Sequence, residues 1–283
     1  MKVAIASGKG GTGKTTVAVN LALCAGGEVC LLDCDVEEPN AHIFLDPTIE
    51  RRRTITLPVP QVDEAKCTAC GECGRICQFS AIVSLKAKAL TFPDLCHGCG
   101  GCTLVCPEGA ITEVPREVGV LEQGRAGEVA FAHGRLRIGE VLSPPLIHAV
   151  KACATDDGLN IIDAPPGTSC PVIEAVRNTD FVVLVTEPTP FGLNDLKLAA
   201  EMVHALGLPF GVVINRADAG DDRVQTWCRD ETVDVLAEVP DSRDVAEAYS
   251  RGVPAVTALP RMRERFNDLL KAVKDRARSG GTR

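Results

Sequence analysis

The chain has 283 residues, of which 45% are hydrophobic and 24% charged, and its mean hydropathy is +0.09. That balance fits a soluble globular protein with one large domain and a small one. A net charge of −8 and a pI near 5.2 exclude a general nucleic-acid or anionic-membrane binder. No apolar run approaches the ~20 residues of a membrane span. Fourteen cysteines, with no signal peptide before the first strand, point to a reducing, cytoplasmic setting. There cysteines are metal ligands more often than disulfides.

Val3–Ala6 reads as a short buried strand that ends at Gly8. A helix follows over Lys14–Cys24, with Val17, Leu21 and Cys24 on one face, and Gly26-Gly27 stops it. Val29–Leu32 is a second buried strand, ending at Asp33. From about Val59 to Pro115 cysteine and proline density rises and no long helix is readable. Val118–Glu140 then alternates like a hairpin with arms Val129–Phe131 and Leu136–Ile138. The α/β rhythm resumes with a helix near Pro145–Ala154, a strand Leu159–Ile162, a helix Val172–Asn178 and a strand Phe181–Val185. A helix Leu193–Leu206, strands Phe210–Ile214 and Val233–Glu238, and helices Ser242–Ser250 and Arg261–Arg276 complete the pattern. It predicts a doubly wound, mostly parallel α/β sheet, carried by residues 1–58 and 116–283 and split by an insert at 59–115.

Gly8-Lys9-Gly10-Gly11-Thr12-Gly13-Lys14-Thr15-Thr16 satisfies G-x-x-x-x-G-K-[ST] between a strand and a helix, the context in which that motif binds phosphate. Its glycines let backbone N–H groups curl around phosphate oxygens. The helix N-terminus adds partial positive charge. Lys14 is expected to neutralise the β/γ-phosphates, and Thr15 to offer its hydroxyl to Mg²⁺. ATP and Mg²⁺ are the expected ligands.

The insert is an internal repeat. Cys67, Cys70, Cys73 and Cys77 recur 29 residues later as Cys96, Cys99, Cys102 and Cys106, and Ala81-Ile82 recurs as Ala110-Ile111. The x₂-x₂-x₃ spacing resembles that of bacterial two-cluster ferredoxins, which hold two 4Fe-4S clusters. Three thiolates on a tight loop serve one cube and the fourth comes from the other half. That pairs Cys67, Cys70, Cys73 with Cys106, and Cys96, Cys99, Cys102 with Cys77. Gln78 stands where the ferredoxin pattern has proline. Paired zinc sites are the competing reading of CxxC motifs, but zinc sites need no shared x₃ cysteine. With few large apolar residues the insert cannot build much core alone, so the clusters would be its structural centre.

The early lysine of KGGTGKT resembles the deviant phosphate loop of the MinD/ParA ATPases, with their Mrp-like branch and the nitrogenase iron protein. The resemblance covers nearly all of the chain outside the insert. It implies a dimer, of identical or related chains, with ATP at the interface and Lys9 reaching the partner's nucleotide. Leu32-Asp33-Cys34-Asp35 resembles the family's first switch, which implies that Asp35 positions or activates the attacking water and Asp33 supports Mg²⁺. Ile161–Thr168 resembles the second switch, with Asp163 on a Mg²⁺-bound water and Gly167 near the γ-phosphate. Val213–Arg216 and Val239–Asp241 resemble the adenine-side motifs, which places Asn215, Pro240 and Asp241 around the base. Lys9, Lys14 and Asp35 are thus the catalytic candidates, and the partner is expected to be a redox or iron–sulfur protein. Iron–sulfur assembly carrier and MinD-type positioning ATPase are the alternatives. Met262, Phe266, Leu269, Leu270 and Val273 read as the inner stripe of the last helix, which leaves only Ser279–Arg283 beyond it and disfavours stable membrane anchoring.

Overall fold

A computed structural model describes residues 1–280. β1 (Lys2–Ala6) runs into the glycine loop and α1 (Lys14–Cys24), then β2 (Val29–Asp33), α2 (Ala41–Leu45) and the long β3 (Thr48–Val62). α3 (Glu72–Ile76), β4 (Ile82–Ser84), β5 (Ala89–Thr91), a 3-10 turn at Pro93–Leu95 and α4 (Gly101–Leu104) follow. Next come β6 (Ile111–Ala126), β7 (Val129–Leu136), α5 (Pro144–Lys151), β8 (Leu159–Asp163), α6 (Cys170–Val176), β9 (Phe181–Thr186) and α7 (Pro190–Ala205). β10 (Phe210–Asn215), α8 (Arg223–Asp230), β11 (Val235–Val239), α9 (Arg243–Ser250), α10 (Ala255–Ala258) and α11 (Pro260–Ser279) complete the described chain. None of these helices is long and apolar enough to cross a membrane.

The chain divides into two units. The first comprises Met1–Arg53, Leu121–Arg135 and the residues from Leu146 onward; the second comprises Thr54–Val120 and Leu136–Pro145. β3 and β6 each contribute residues to both.

In the first unit the strands lie in the order β11-β10-β9-β1-β8-β2-β7-β6-β3. β1 pairs in parallel with β8 and β9, β10 with β9 and β11, and β2 with β8 and β7. β2, β8 and β9 are buried along their whole length, which is why they read as apolar runs without alternation: helices cover both faces. The chain builds from β1 toward β2 on one side, then crosses back from β8 to β9 on the other. β1 therefore sits where the winding reverses, and its carboxyl end opens a ligand crevice. α11 buries Met262, Phe266, Leu269, Leu270 and Val273, the stripe expected from their spacing, in the same core cluster as Val17 and Leu21 of α1. The helix extends to Ser279, and Gly281–Arg283 of the expected tail lie outside the described residues.

In the second unit β4 and β5 form a two-stranded antiparallel sheet beside α3 and α4. The sequence repeat returns in the backbone. Ala69, Gly71 and Ser80 take left-handed φ values of 56°, 88° and 53°, and their counterparts Gly98, Gly100 and Gly109 take 66°, 70° and 56°. Left-handed backbone at a non-glycine residue is disfavoured, so Ala69 and Ser80 mark turns that the surrounding loops impose. The apolar core is small: Cys73, Ile82, Ala89 and Ile111 in one cluster, Val59, Ala81 and Cys96 in another.

Some expectations are corrected. The hairpin turn falls at Gly127-Glu128, between β6 and β7, with Gly127 at φ 58°. Val129–His133 is no hairpin arm of the kind expected; it pairs in parallel with Val29–Asp33 of β2. α8 was invisible in its polar sequence because only Val224 and Cys228 are buried. β3 carries Glu50-Arg51-Arg52-Arg53, all exposed on the edge of the sheet, so no alternation announces it.

Candidate functional site

The loop between β1 and α1 takes its shape from glycines that nothing larger replaces. Gly11 and Gly13 sit at φ 80° and 94°. A Cβ on Gly13 would lie 2.4 Å from the Asn215 Nδ2 atom, and one on Gly8 would lie 2.1 Å from the Asp195 carbonyl oxygen. Asn215 donates from Nδ2 to the Thr12 carbonyl at 2.9 Å, which ties the end of β10 to the loop. The expected site residues Gly10, Gly11, Gly13, Lys14, Thr15, Thr16, Asp35, Asn215, Pro240 and Asp241 line one cavity of about 520 Å³. Gly8, Lys9, Thr12, Asp33 and Asp163 stand outside its wall. Lys14 is buried at the start of α1 with its side chain on the cavity.

Three carboxylates meet at the carboxyl edges of β2 and β8, where Asp33 and Asp163 are register partners. Asp33 is fully buried and accepts from the backbone N–H groups of Asp35, Asn40 and Ala41 at 3.0–3.1 Å. Its carboxylate thus shapes the loop from Asp35 to α2. Among the described residues, both oxygens of Asp163 are buried without a hydrogen-bond partner, an arrangement that a cation would relieve. Burial raises the Asp163 pKa to about 7; the nearby Thr15 hydroxyl and Lys14 ammonium lower it in part, and Asp35 adds to the rise. Burial raises Asp35 to about 6 against the pull of Lys14. Asp33 is also pushed well up, by burial and then by Asp163.

These shifts set a pH dependence. A carboxyl whose folded pKa lies above its unfolded value of 3.8 contributes stability that is complete below that value. The contribution is lost as pH rises through the folded pKa. The melting temperature of the nucleotide-free, metal-free chain is therefore expected to rise as pH is lowered from 8 to 5. Asp163→Asn removes a carboxyl from the set and should flatten the profile; identical thermal profiles for the two proteins would refute the assignment.

Glu187 and Tyr249, not singled out in the sequence, complete the surroundings with Arg216 of the adenine-side motif and Phe266 of the last helix's inner stripe. Glu187, in the loop after β9, is paired with Lys9 at 3.2 Å and with Arg216 at 2.7 Å. Arg216 itself holds φ 52° and lines the cavity. Tyr249 of α9 and Phe266 of α11 line it from the other side, and Tyr249 packs on Phe44 with ring centroids 4.0 Å apart. No local motif flags Glu187 or Tyr249, and the inner stripe marked Phe266 only as core: these residues stand some 170 to 260 residues from the loop they surround.

The second unit holds two narrow hollows. One is lined by Cys67, Cys70, Cys73 and Cys106; the other by Cys77, Cys96, Cys99 and Cys102. In each, three cysteines come from one half of the repeat and the fourth from the other. Backbone N–H groups point at the sulfurs: Ala81 to Cys77 at 3.3 Å, Gly98 to Cys96 at 3.4 Å and Ala110 to Cys106 at 3.3 Å. Burial opposes ionisation of Cys77, yet the N–H groups of Phe79, Ile82, Ala81 and Ser80 together hold its thiol below the ordinary range. Among the described residues no three His, Cys, Asp or Glu side chains converge on the position of a single metal ion. Thiols that ring a hollow and already accept amide hydrogen bonds suit a multi-metal cluster, whose corners are spread apart.

Of the remaining cysteines, Cys30, Cys34 and Cys228 are buried, Cys24 and Cys153 are half-buried, and Cys170 is exposed at the start of α6.

The family model "CobQ/CobB/MinD/ParA nucleotide binding domain" matches residues 3–255. An uncharacterized protein of Methanocaldococcus jannaschii is 35% identical over 222 residues, covering 76% of this chain and 78% of its own. The iron-sulfur cluster carrier protein of Pyrococcus abyssi is 26% identical over 273 residues, covering 90% of this chain and 79% of its own. The solved structure of the septum site-determining protein MinD complexed with Mg-ADP, from Pyrococcus horikoshii, matches with a TM-score of 0.61 at 21% identity. That match covers 100% of this chain and 99% of the other and speaks to the fold.

Proposed function

Because the chain belongs to the CobQ/CobB/MinD/ParA nucleotide-binding family, we infer that it is a Mg²⁺-dependent ATPase that couples nucleotide turnover to electron transfer through two 4Fe-4S clusters. Gly8–Thr16 would wrap the phosphates with backbone N–H groups, and Lys14 would neutralise the β/γ-phosphate charge as it moves to the leaving group. Thr15 and Asp163 would hold Mg²⁺ and its water, with Asp33 keeping the first switch in shape behind them. Asp35 would orient the water that attacks the γ-phosphorus as the bond to the bridging oxygen breaks. Asn215, Pro240 and Asp241 would frame the base. Lys9 would leave Glu187 to meet the nucleotide of a second chain, as the family resemblance implies, closing a dimer.

The iron–sulfur part rests on the two four-cysteine hollows and their crosswise supply. The clusters, when bound, would supply one-electron chemistry; the chain contributes eight thiolates and amide donors to three of them. A zinc pair is a poorer fit, because zinc sites need no shared x₃ cysteine. The electron-transfer reading predicts that iron and sulfide copurify anaerobically in equal amounts and that a non-hydrolysable ATP analogue shifts the cluster potential or the rate of electron transfer to an acceptor. A cluster-loaded chain whose redox behaviour ignores nucleotide would overturn it.

The likeness to an iron-sulfur cluster carrier favours one second reading, delivery of a cluster to an acceptor protein. No CxxC occurs after Cys106 to offer a labile site at a dimer interface, although Cys170 is exposed. Cluster transfer to an apo-acceptor, measured by the acceptor's absorbance, separates the two readings.

A further inference from the structure

The 29-residue repeat gives most lining positions of one cysteine hollow a counterpart in the other. Cysteine answers cysteine, Ala81 answers Ala110, and Gly71 answers Gly100. Five lining positions break the symmetry: Ala69 and Ala89 of the first hollow become Gly98 and Pro60 in the second, and three more change polar, charged or aromatic character. Thr68 and Ser84 of the first hollow become His97 and Glu113 in the second, and Glu108 of the first becomes Phe79. The first hollow also carries Glu72, whose counterpart is Gly101. In the second, the Phe79 and His97 rings stack with centroids 3.6 Å apart and planes 12° apart. The donors differ too. Two sulfurs of the second hollow, Cys77 and Cys96, accept backbone N–H groups, against one in the first, Cys106, among the described residues.

We propose that the two hollows are electrically unequal and that the one bounded by Cys77, Cys96, Cys99 and Cys102 accepts an added electron first. The inference rests on the iron–sulfur reading above. Each step takes one electron from an external one-electron reductant; no bond is made or broken. The step raises the negative charge held by four thiolates and their iron, so groups that favour negative charge favour the step. Amide N–H groups hydrogen-bonded to sulfur do this, and among the described residues they serve two sulfurs of the second hollow against one of the first. Carboxylates oppose it. The first hollow has Glu72, paired with Arg75, and Glu108, while the second has Glu113 alone. The Phe79–His97 stack works the other way, by keeping water from the added charge. The two hollows have the same volume, about 20 Å³ each, and each has one exposed cysteine, Cys70 in the first and Cys99 in the second, so exposure does not separate them and the fixed donors and charges decide the order.

The test is an anaerobic redox titration of the full chain with dithionite, followed by electron paramagnetic resonance. The wild type should show two separate one-electron midpoints. An isolated spin signal should follow the first electron, and a broadened, coupled signal the second. Phe79 and Glu108 are both exposed, so changing them does not disturb the core. Phe79→Glu gives the second hollow the residue of the first and should lower the higher midpoint; Glu108→Gln should raise the lower one, and the double variant should bring the two together. A fully iron-loaded chain with a single midpoint, or Phe79→Glu moving the lower midpoint, would overturn the inference while leaving the iron–sulfur reading standing. A chain that binds no iron would overturn both.

Discussion

Lys14→Ala is expected to lower ATP turnover by at least about 10²–10³-fold, the loss typical when a buried, preorganised charge at a reacting group is removed. Three observations make it the most sensitive position in the first unit. It starts α1, it is buried, and it faces the 520 Å³ cavity with Thr15 and Asp35. Its ammonium also holds down the pKa of Asp35 and Asp163. The variant should therefore lose stability at pH 8, where those carboxylates lack their cation, and recover it toward pH 6 as they protonate. Phosphate release at saturating ATP and Mg²⁺, with a melting curve at each pH, checks both statements. A folded Lys14→Ala chain that hydrolyses ATP within tenfold of the wild type would remove the phosphate loop from the mechanism.

The second large effect belongs to Cys73. Cys73→Ser should remove half of the bound iron, because the hollow it shares with Cys67, Cys70 and Cys106 loses a ligand. Cys73 is also one of four buried residues in the main apolar cluster of the second unit. With so little apolar surface to bury, that unit would, on the iron–sulfur reading, draw much of its stability from what its thiolates bind. The segment Thr54–Val120 should become cleavable by a protease that leaves the wild type intact. The phosphate loop lies in the other unit, so basal ATP hydrolysis in the variant should persist. Iron analysis and limited proteolysis read the first two effects, and phosphate release reads the third. Undiminished iron in Cys73→Ser would exclude the assigned ligand set.

What the sequence disclosed was local. The phosphate loop is nine contiguous residues whose backbone freedom and charge are visible in the letters, and α1 begins at Lys14 as expected. The cysteine repeat declared itself by spacing, and its two ligand sets, read from that spacing, are the sets that line the two hollows. Packing across long separations stayed hidden. Glu187 meets Lys9 only because β9 lies beside β1. Tyr249 and Phe266 reach the nucleotide cavity because α9 and α11 fold back over α1. The misplaced hairpin has the same origin: Val129–His133 alternates weakly because it is a buried parallel strand, and only Gly127 marks the true turn. Nor did the letters show that Asp33, expected beside Mg²⁺, accepts from the backbone N–H groups of Asp35, Asn40 and Ala41.

The crosswise placement of Cys77 and Cys106 bears on how such a module could arise. A single half, ending at its fourth cysteine, lines a hollow with only three of its own sulfurs and places the last beside its neighbour's three. Two unlinked halves would have to find each other in solution, at a rate set by their concentration. Joined in one chain, each half meets its complement at a fixed, high effective concentration. Duplication followed by fusion, with later divergence at positions such as Phe79 and Glu108, would leave the arrangement now present: two compartments each built from both halves, already differing in the company their sulfurs keep.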